Sequence, residues 1–119
     1  MCRTLVVDDD ADCADSLCLL LRLAGHEAAA AYSGAEALAL AESFRPRLVF
    51  VDLAMPRMGG VELAGRLRAL PCMAGARLVA LSARHDGAEL AAGAGLDASL
   101  LKPAEPGEIC RIAGAAYLE

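Results

Sequence analysis

Leu48-Val49-Phe50-Val51-Asp52-Leu53-Ala54-Met55-Pro56-Arg57-Met58-Gly59-Gly60 is the stretch that decides the fold. Four apolar residues in a row describe a strand covered on both faces, as in a parallel sheet. The run stops at a carboxylate, Asp52. A loop with Pro56 and Gly59 follows, and Gly60 opens an amphipathic segment in which Ala64, Leu67 and Leu70 recur before Pro71. Strand, loop and helix in that order form the repeating half of an α/β protein.

Working outward, the same half-unit recurs. Leu5-Val6-Val7 runs into Asp8-Asp9-Asp10, after which Ala14, Leu17, Cys18 and Leu21 share one helical face. Glu27 to Tyr32 is a weaker, Ala-rich strand suited to an edge; Ser33 stands as N-cap before Ala37, Leu38 and Ala41. Leu78-Val79-Ala80-Leu81 ends at Ser82, and a short helix near Gly87 to Gly93 is weakened by Gly93-Ala94-Gly95. Ser99-Leu100-Leu101 runs into Lys102-Pro103, and Ile109, Ile112, Ala113 and Ala116 fall at i, i+3, i+4 and i+7. Five strands alternating with five helices predict an α/β fold around a mostly parallel sheet.

The 119 residues suit one domain, 1–119, and a chain of this size buries about two-thirds of its unfolded surface. With no Trp, two Tyr and two Phe among 57% hydrophobic residues, the core must be built from Leu, Val and Ala. Arg22, Gly25 and Glu27 interrupt the longest apolar stretch, so membrane insertion is not expected, and residues 1–7 are too short for a signal peptide. A cytoplasmic setting follows as the expectation. The net charge of −5 argues against direct nucleic-acid contact, which needs a basic face. Cys2, Cys13, Cys18, Cys72 and Cys110 form no CxxC pair and no Cys/His ligand spacing, and read as small core or surface residues.

Open α/β sheets bind ligands at the carboxyl ends of their strands. There the first strand runs into three aspartates, the third into Asp52, the fourth into Ser82 and the fifth into Lys102. Taken singly, each reads as a turn former or a solvated charge. Together they make a cluster at one end of the sheet. Crowded carboxylates repel, and a hard divalent cation with oxygen ligands relieves the repulsion. Mg²⁺ takes one or two carboxylates, several waters and a substrate phosphate. A lysine ammonium and a serine hydroxyl suit the remaining phosphoryl oxygens. Such a site positions a phosphoryl group for attack by a carboxylate.

Val6-Val7-Asp8-Asp9-Asp10, Val51 to Gly60, Leu81-Ser82-Ala83 and Leu101-Lys102-Pro103 resemble the ordered motifs of response-regulator receiver domains of two-component signalling. The resemblance covers nearly the whole chain. It implies a (βα)₅ doubly wound, flavodoxin-like fold with strand order 2-1-3-4-5, and makes Asp52 the phosphorylated nucleophile. It also implies metal binding by Asp8, Asp9, Asp52 and the backbone carbonyl of Ala54, with Asp9 the direct ligand and Asp8 acting largely through water. The implied ion is Mg²⁺, with Mn²⁺ as substitute. Ser82, Ala83 and Lys102 resemble the phosphoryl-binding positions, Pro103 the residue after a cis bond, and Gly60 the glycine that lets the third helix begin tightly. The implied reaction is stoichiometric: the domain catalyses its own phosphorylation and dephosphorylation and turns over no external metabolite. The implied donor is a histidine kinase or a histidine phosphotransfer domain, docking near Ala11, Ala14 and Asp15. An unidentified downstream protein would read the fourth helix, fifth strand and fifth helix, where Ser99, Glu108 and Arg111 stand.

Some positions depart from the family pattern. Ser99 stands where an aromatic usually pairs with the switch hydroxyl of Ser82, which predicts a muted or rerouted signal. Ala54 and Arg84 replace residues that align an attacking water in relatives, which predicts slow self-hydrolysis. Gly59 replaces a frequent Asp and loosens the loop. His26 and His85 read as loop residues.

Rival readings fare worse. An EF-hand starting at Asp8 needs Gly and Glu where Cys13 and Leu19 stand. No Walker or dinucleotide loop follows the first strand. An aspartate-nucleophile phosphatase wants an acid at Ala54. The remaining alternative is a degenerate receiver acting as a phosphorylation-independent interaction module. Whether the chain stands alone or belongs to a hybrid kinase is open in the sequence.

Overall fold

The computed structural model describes residues 3–83 and 87–118, with side chains described to residue 115. The expectations for Cys2, Arg84, His85 and the side chain of Ala116 lie outside these. Five strands form one parallel sheet: β1 Arg3–Val7, β2 Glu27–Ala31, β3 Leu48–Asp52, β4 Arg77–Ser82 and β5 Ala98–Leu101. Their order is β2-β1-β3-β4-β5, as the resemblance implied. The helices are α1 Ala11–Leu23, α2 Gly34–Phe44, α3 Gly60–Ala69, α4 Gly87–Gly93 and α5 Pro106–Leu118. A short 3-10 turn at Pro71–Met73 was not anticipated. Proline at its first position, where no N–H is needed, starts it naturally.

Burial follows position in the sheet. All five residues of central β3 are buried, while edge strand β2 is only partly covered. Alternating side chains feed two cores. Leu5, Val7, Val49, Val51, Leu78 and Ala80 pack on the side that holds residues of α2, α3 and α4. Val6, Leu48, Phe50, Val79 and Leu81 pack on the other side with α1 and α5. Each fully buried Leu, Val or Phe contributes roughly 1.5–3 kcal/mol over its exposed state. No helix among the described residues is long and apolar enough to cross a membrane.

Local chemistry sets the helix starts. Ser33 caps α2 through its hydroxyl, which accepts from the Glu36 N–H at 3.2 Å, as expected. Asp10 does the same for α1, accepting from the Asp12 and Cys13 N–H groups. His26 follows α1 in a turn where Gly25 has φ +95°, and burial pulls its imidazole below the usual value. Arg68 of α3 reaches the Ala76 carbonyl and Asp97, whose carboxylate also accepts from the Leu78 N–H. That bridge ties the start of β5 to β4.

Candidate functional site

The carboxyl ends of β1, β3, β4 and β5 converge, and so do the residues predicted there. Asp8 leaves β1 fully enclosed, with a relative exposure of 1%. One carboxylate oxygen accepts from the Asp10 N–H at 3.0 Å, and the other accepts from Lys102 Nζ at 2.8 Å. Asp52 closes β3 and is also buried; its Oδ1 accepts from the Ala54 N–H at 3.1 Å, and its Oδ2 lies 3.5 Å from Lys102 Nζ. Asp9 is exposed beside them. One oxygen each from Asp8, Asp9 and Asp52 falls within 4.8 Å of the others.

Gly60 permits this crowding. A Cβ there would lie 2.6 Å from the Asp52 carbonyl oxygen and 2.7 Å from Leu53 Cα, both backbone atoms that cannot give way. The glycine expected at the start of α3 therefore has a steric reason. Ser82 ends β4, buried, and Lys102 N–H donates to its carbonyl at 2.8 Å, which brings the serine and the lysine side by side. The Lys102–Pro103 bond is cis. Ala83 and Ala54 are exposed at the rim.

Electrostatics match the geometry. Burial raises the Asp52 carboxyl above the ordinary value, and Asp8's charge adds to this against the lowering effects of the Ala54 N–H and Lys102. For Lys102, burial disfavours the ammonium, but the hydrogen bond to Asp8 and the charges of Asp52 and Asp8 outweigh it, so its value is raised. Lys102 is the only lysine in the sequence. A compact ammonium on a flexible stem reaches a small oxyanion as a point charge, where arginine presents a rigid fork.

Three carboxylate oxygens this close, opposed by one ammonium, fit a hard divalent cation. A cleft of about 480 Å³, lined in part by Asp8, Cys13, Leu17, Lys102, Pro103 and Ala104, opens beside them. Burial, then Asp8, raises the Cys13 thiol, so it is held as a thiol.

One expectation needs correction. The docking surface expected near Ala11, Ala14 and Asp15 does not include Ala14, which is fully buried on the inward face of α1; only Ala11 and Asp15 of that set are exposed. Asp15 accepts a hydrogen bond from the Tyr32 hydroxyl at 2.6 Å, which lifts the tyrosine's value. Ser99 pairs with Ala80 in the sheet and is partly buried; Glu108 and Arg111 are exposed. Two contacts escaped sequence reading. The Asp10 cap was signalled by Asp immediately before a helical period. The approach of Gly87, where a Cβ would meet Ser82 Oγ at 2.9 Å, had no local signal.

Comparison with known proteins agrees with this architecture. The model of the response regulator receiver domain matches residues 4–113. The chain belongs to that family, the receiver domains of two-component signalling. A response regulator receiver protein of an Anaeromyxobacter species is 43% identical over 103 residues, covering 87% of this chain and 43% of its own. The DNA-binding response regulator MtrA of Mycobacterium leprae is 38% identical over 109 residues, 90% of this chain and 47% of its own. This chain thus spans less than half the length of either relative. Among solved structures, a CheY-like receiver domain protein of Methanospirillum hungatei superposes with TM-score 0.86 at 28% identity, covering 99% and 95% of the two chains. The chemotaxis response regulator CheY4 of Vibrio cholerae gives 0.88 at 25%, covering 98% of each.

Proposed function

We propose that residues 1–119 form one receiver domain that accepts a phosphoryl group on Asp52, from a phosphohistidine donor, in a Mg²⁺-dependent reaction that switches protein contacts. The observation that carries this reading is the meeting of three carboxylates within 4.8 Å with Lys102 Nζ 3.5 Å from Asp52. Asp8, Asp9, Asp52 and the Ala54 carbonyl are the residues that would hold the ion, and Mn²⁺ has the same oxygen preference. When bound, the ion neutralises the carboxylates and the incoming phosphoryl oxygens.

The chain's own residues do the rest. The Ala54 N–H fixes one Asp52 oxygen, leaving Oδ2 on the Lys102 side as the nucleophile. That oxygen attacks phosphorus in line, the bond to the donor's imidazole nitrogen breaks, and the nitrogen keeps the electron pair. Lys102 shifts from Asp8 to a phosphoryl oxygen, while the Ser82 hydroxyl and the Ala83 N–H bind others. The burial that raises Asp52 also strips water from the nucleophile. The product is a stoichiometric acyl phosphate, which the same site later hydrolyses. Ser82 and Ser99 are the switch positions of this reading, and Gly60 and Pro103 shape its loops.

The test is intact-protein mass after incubation with acetyl phosphate and Mg²⁺, beside Asp52→Asn and EDTA controls. One phosphate adduct, absent from both controls, is expected. No adduct from acetyl phosphate or from a competent kinase would replace this reading with that of a degenerate interaction module, for which Ser99 in place of an aromatic is the supporting feature.

A further inference from the structure

In the loop 53–59 between β3 and α3, Met55 is buried in the core and Met58 rests on bare backbone. Gly34 is the first residue of α2, and a Cβ there would lie 2.6 Å from Met58 Sδ, 3.1 Å from its Cβ and 3.2 Å from its Cγ. The thioether thus occupies the space that a side chain at 34 would fill. Met58 is half-buried, whereas Met55 and Met73 have relative exposures of 7% and 1%. A cleft of about 410 Å³, lined in part by Asp9, Tyr32, Ser33, Arg57 and Met58, opens onto it. Among the described methionines, Met58 is the most exposed, although Met55 lines the same cleft, and its loop also carries Ala54, bonded to Asp52.

From this we infer that Met58 is an oxidation site for hydroperoxides, and that its sulfoxide releases loop 53–59 from α2 and weakens cation binding at the acid cluster. The step balances: the peroxide O–O bond breaks, one oxygen forms S=O on Sδ, sulfur loses two electrons, and the peroxide leaves as water or an alcohol. The product is polar and larger at the atom packed most tightly against Gly34. The added oxygen needs room that the close seat of Sδ against Gly34 does not leave, so the side chain leaves its seat towards the cleft. Loss of that contact loosens the segment that positions Ala54 next to Asp52, leaving buried Met55 and the Leu53 N–H bond to Leu81 among its remaining ties. The effect on the cation rests on the reading of Asp8, Asp9 and Asp52 as its site; the release of the loop does not.

The experiment treats wild type and Met58→Leu with hydrogen peroxide and then with dithiothreitol. It maps sulfoxides by peptide mass and measures metal-free melting and Mg²⁺ affinity by calorimetry. Both proteins carry the same cysteines, so their difference isolates Met58. The expected result is oxidation of Met58 ahead of Met55 and Met73, a lower melting midpoint, and Mg²⁺ binding weakened about threefold to tenfold. Methionine sulfoxide reductases restore both, and Met58→Leu shows neither change. Oxidation of Met55 or Met73 first, or a Met58 sulfoxide that melts and binds Mg²⁺ like the untreated protein, overturns the inference. If the untreated protein binds no Mg²⁺, the cation reading itself has failed, and the melting midpoint alone decides whether Met58 anchors the loop.

Discussion

The ammonium of Lys102 donates a 2.8 Å hydrogen bond to the enclosed carboxylate of Asp8, across 94 positions of sequence. Asp8 is 1% exposed on its side chain and Lys102 24%. A buried ion pair is a weak source of stability as a pair, but removing one partner leaves an uncompensated charge. Lys102→Met keeps most of the stem's packing and removes the charge. It is expected to destabilise the metal-free protein by about 2–3 kcal/mol in chemical denaturation, below the range for fully buried pairs because Lys102 is partly solvated. It is also expected to tighten Mg²⁺ binding several-fold, since a cation no longer competes for the cluster. An unchanged Mg²⁺ affinity would show that Lys102 does not face the ion.

Asp52 supplies a pH prediction for the metal-free state. Burial, with Asp8's charge adding to it, raises its native value above the ordinary 3.8. A raised carboxyl binds its proton more tightly folded than unfolded. Its contribution is therefore intact below the unfolded value and is lost as pH rises through the native one. At neutral pH the ionised Asp52 costs stability that a neutral isostere avoids. Asp52→Asn in EDTA should melt higher than wild type near neutrality, and the gap should close as pH falls towards 3.8. Parallel melting curves across that range check it; a gap independent of pH would assign the gain to packing.

The parts of this molecule that were readable in the sequence share a physical cause. Val49 to Asp52 and Leu78 to Ser82 are continuous apolar runs because both faces of a central parallel strand are covered, and each ends on a polar residue where the sheet ends. The alternation of these runs with helical periods sufficed for the α/β architecture. Strand order is carried by family resemblance alone, because no periodicity says which strand lies beside which; the gathering of Asp8, Asp52, Ser82 and Lys102 is already legible as polar residues at successive strand ends. The Ala14 error was avoidable: its own helical face, with Cys18 and Leu21, is the buried one. Contacts such as Gly34 with Met58 and Gly87 with Ser82 depend on how helices seat on the sheet, and leave no local pattern.

Gly60 and Gly65 make a paired test. Both lie in α3, but a Cβ at 60 would strike the backbone of Asp52 and Leu53 at 2.6 and 2.7 Å, whereas one at 65 meets nothing within 4 Å. Gly60→Ala is expected to cost about 1–3 kcal/mol by overpacking. The enforced shift of Asp52 should also slow adduct formation with acetyl phosphate. Gly65→Ala fills open space in a helix interior and is expected to stabilise by about 0.5–1 kcal/mol. Denaturant midpoints separate the two. Equal effects of either sign would mean that the close approach at Gly60 is not what holds the loop.

Ala54 supplies a prediction for the lifetime of the proposed acyl phosphate. Its N–H is committed to Asp52 Oδ1 at 3.1 Å, and its methyl group is exposed at the rim, where an attacking water must approach. A methyl group can neither accept a proton from that water nor orient it by a hydrogen bond, and such positioning is worth orders of magnitude in rate where it exists. The phosphorylated wild type should therefore hydrolyse slowly. Ala54→Asn adds an amide at the rim without disturbing the backbone bond, and should shorten the lifetime by about tenfold, less than a proton-transferring group achieves because an amide only orients the water. The lifetime is read as decay of the phosphate adduct by intact mass after removal of acetyl phosphate, with Mg²⁺ retained. A wild-type adduct lost within seconds, or an equal lifetime in Ala54→Asn, would remove Ala54 from control of hydrolysis.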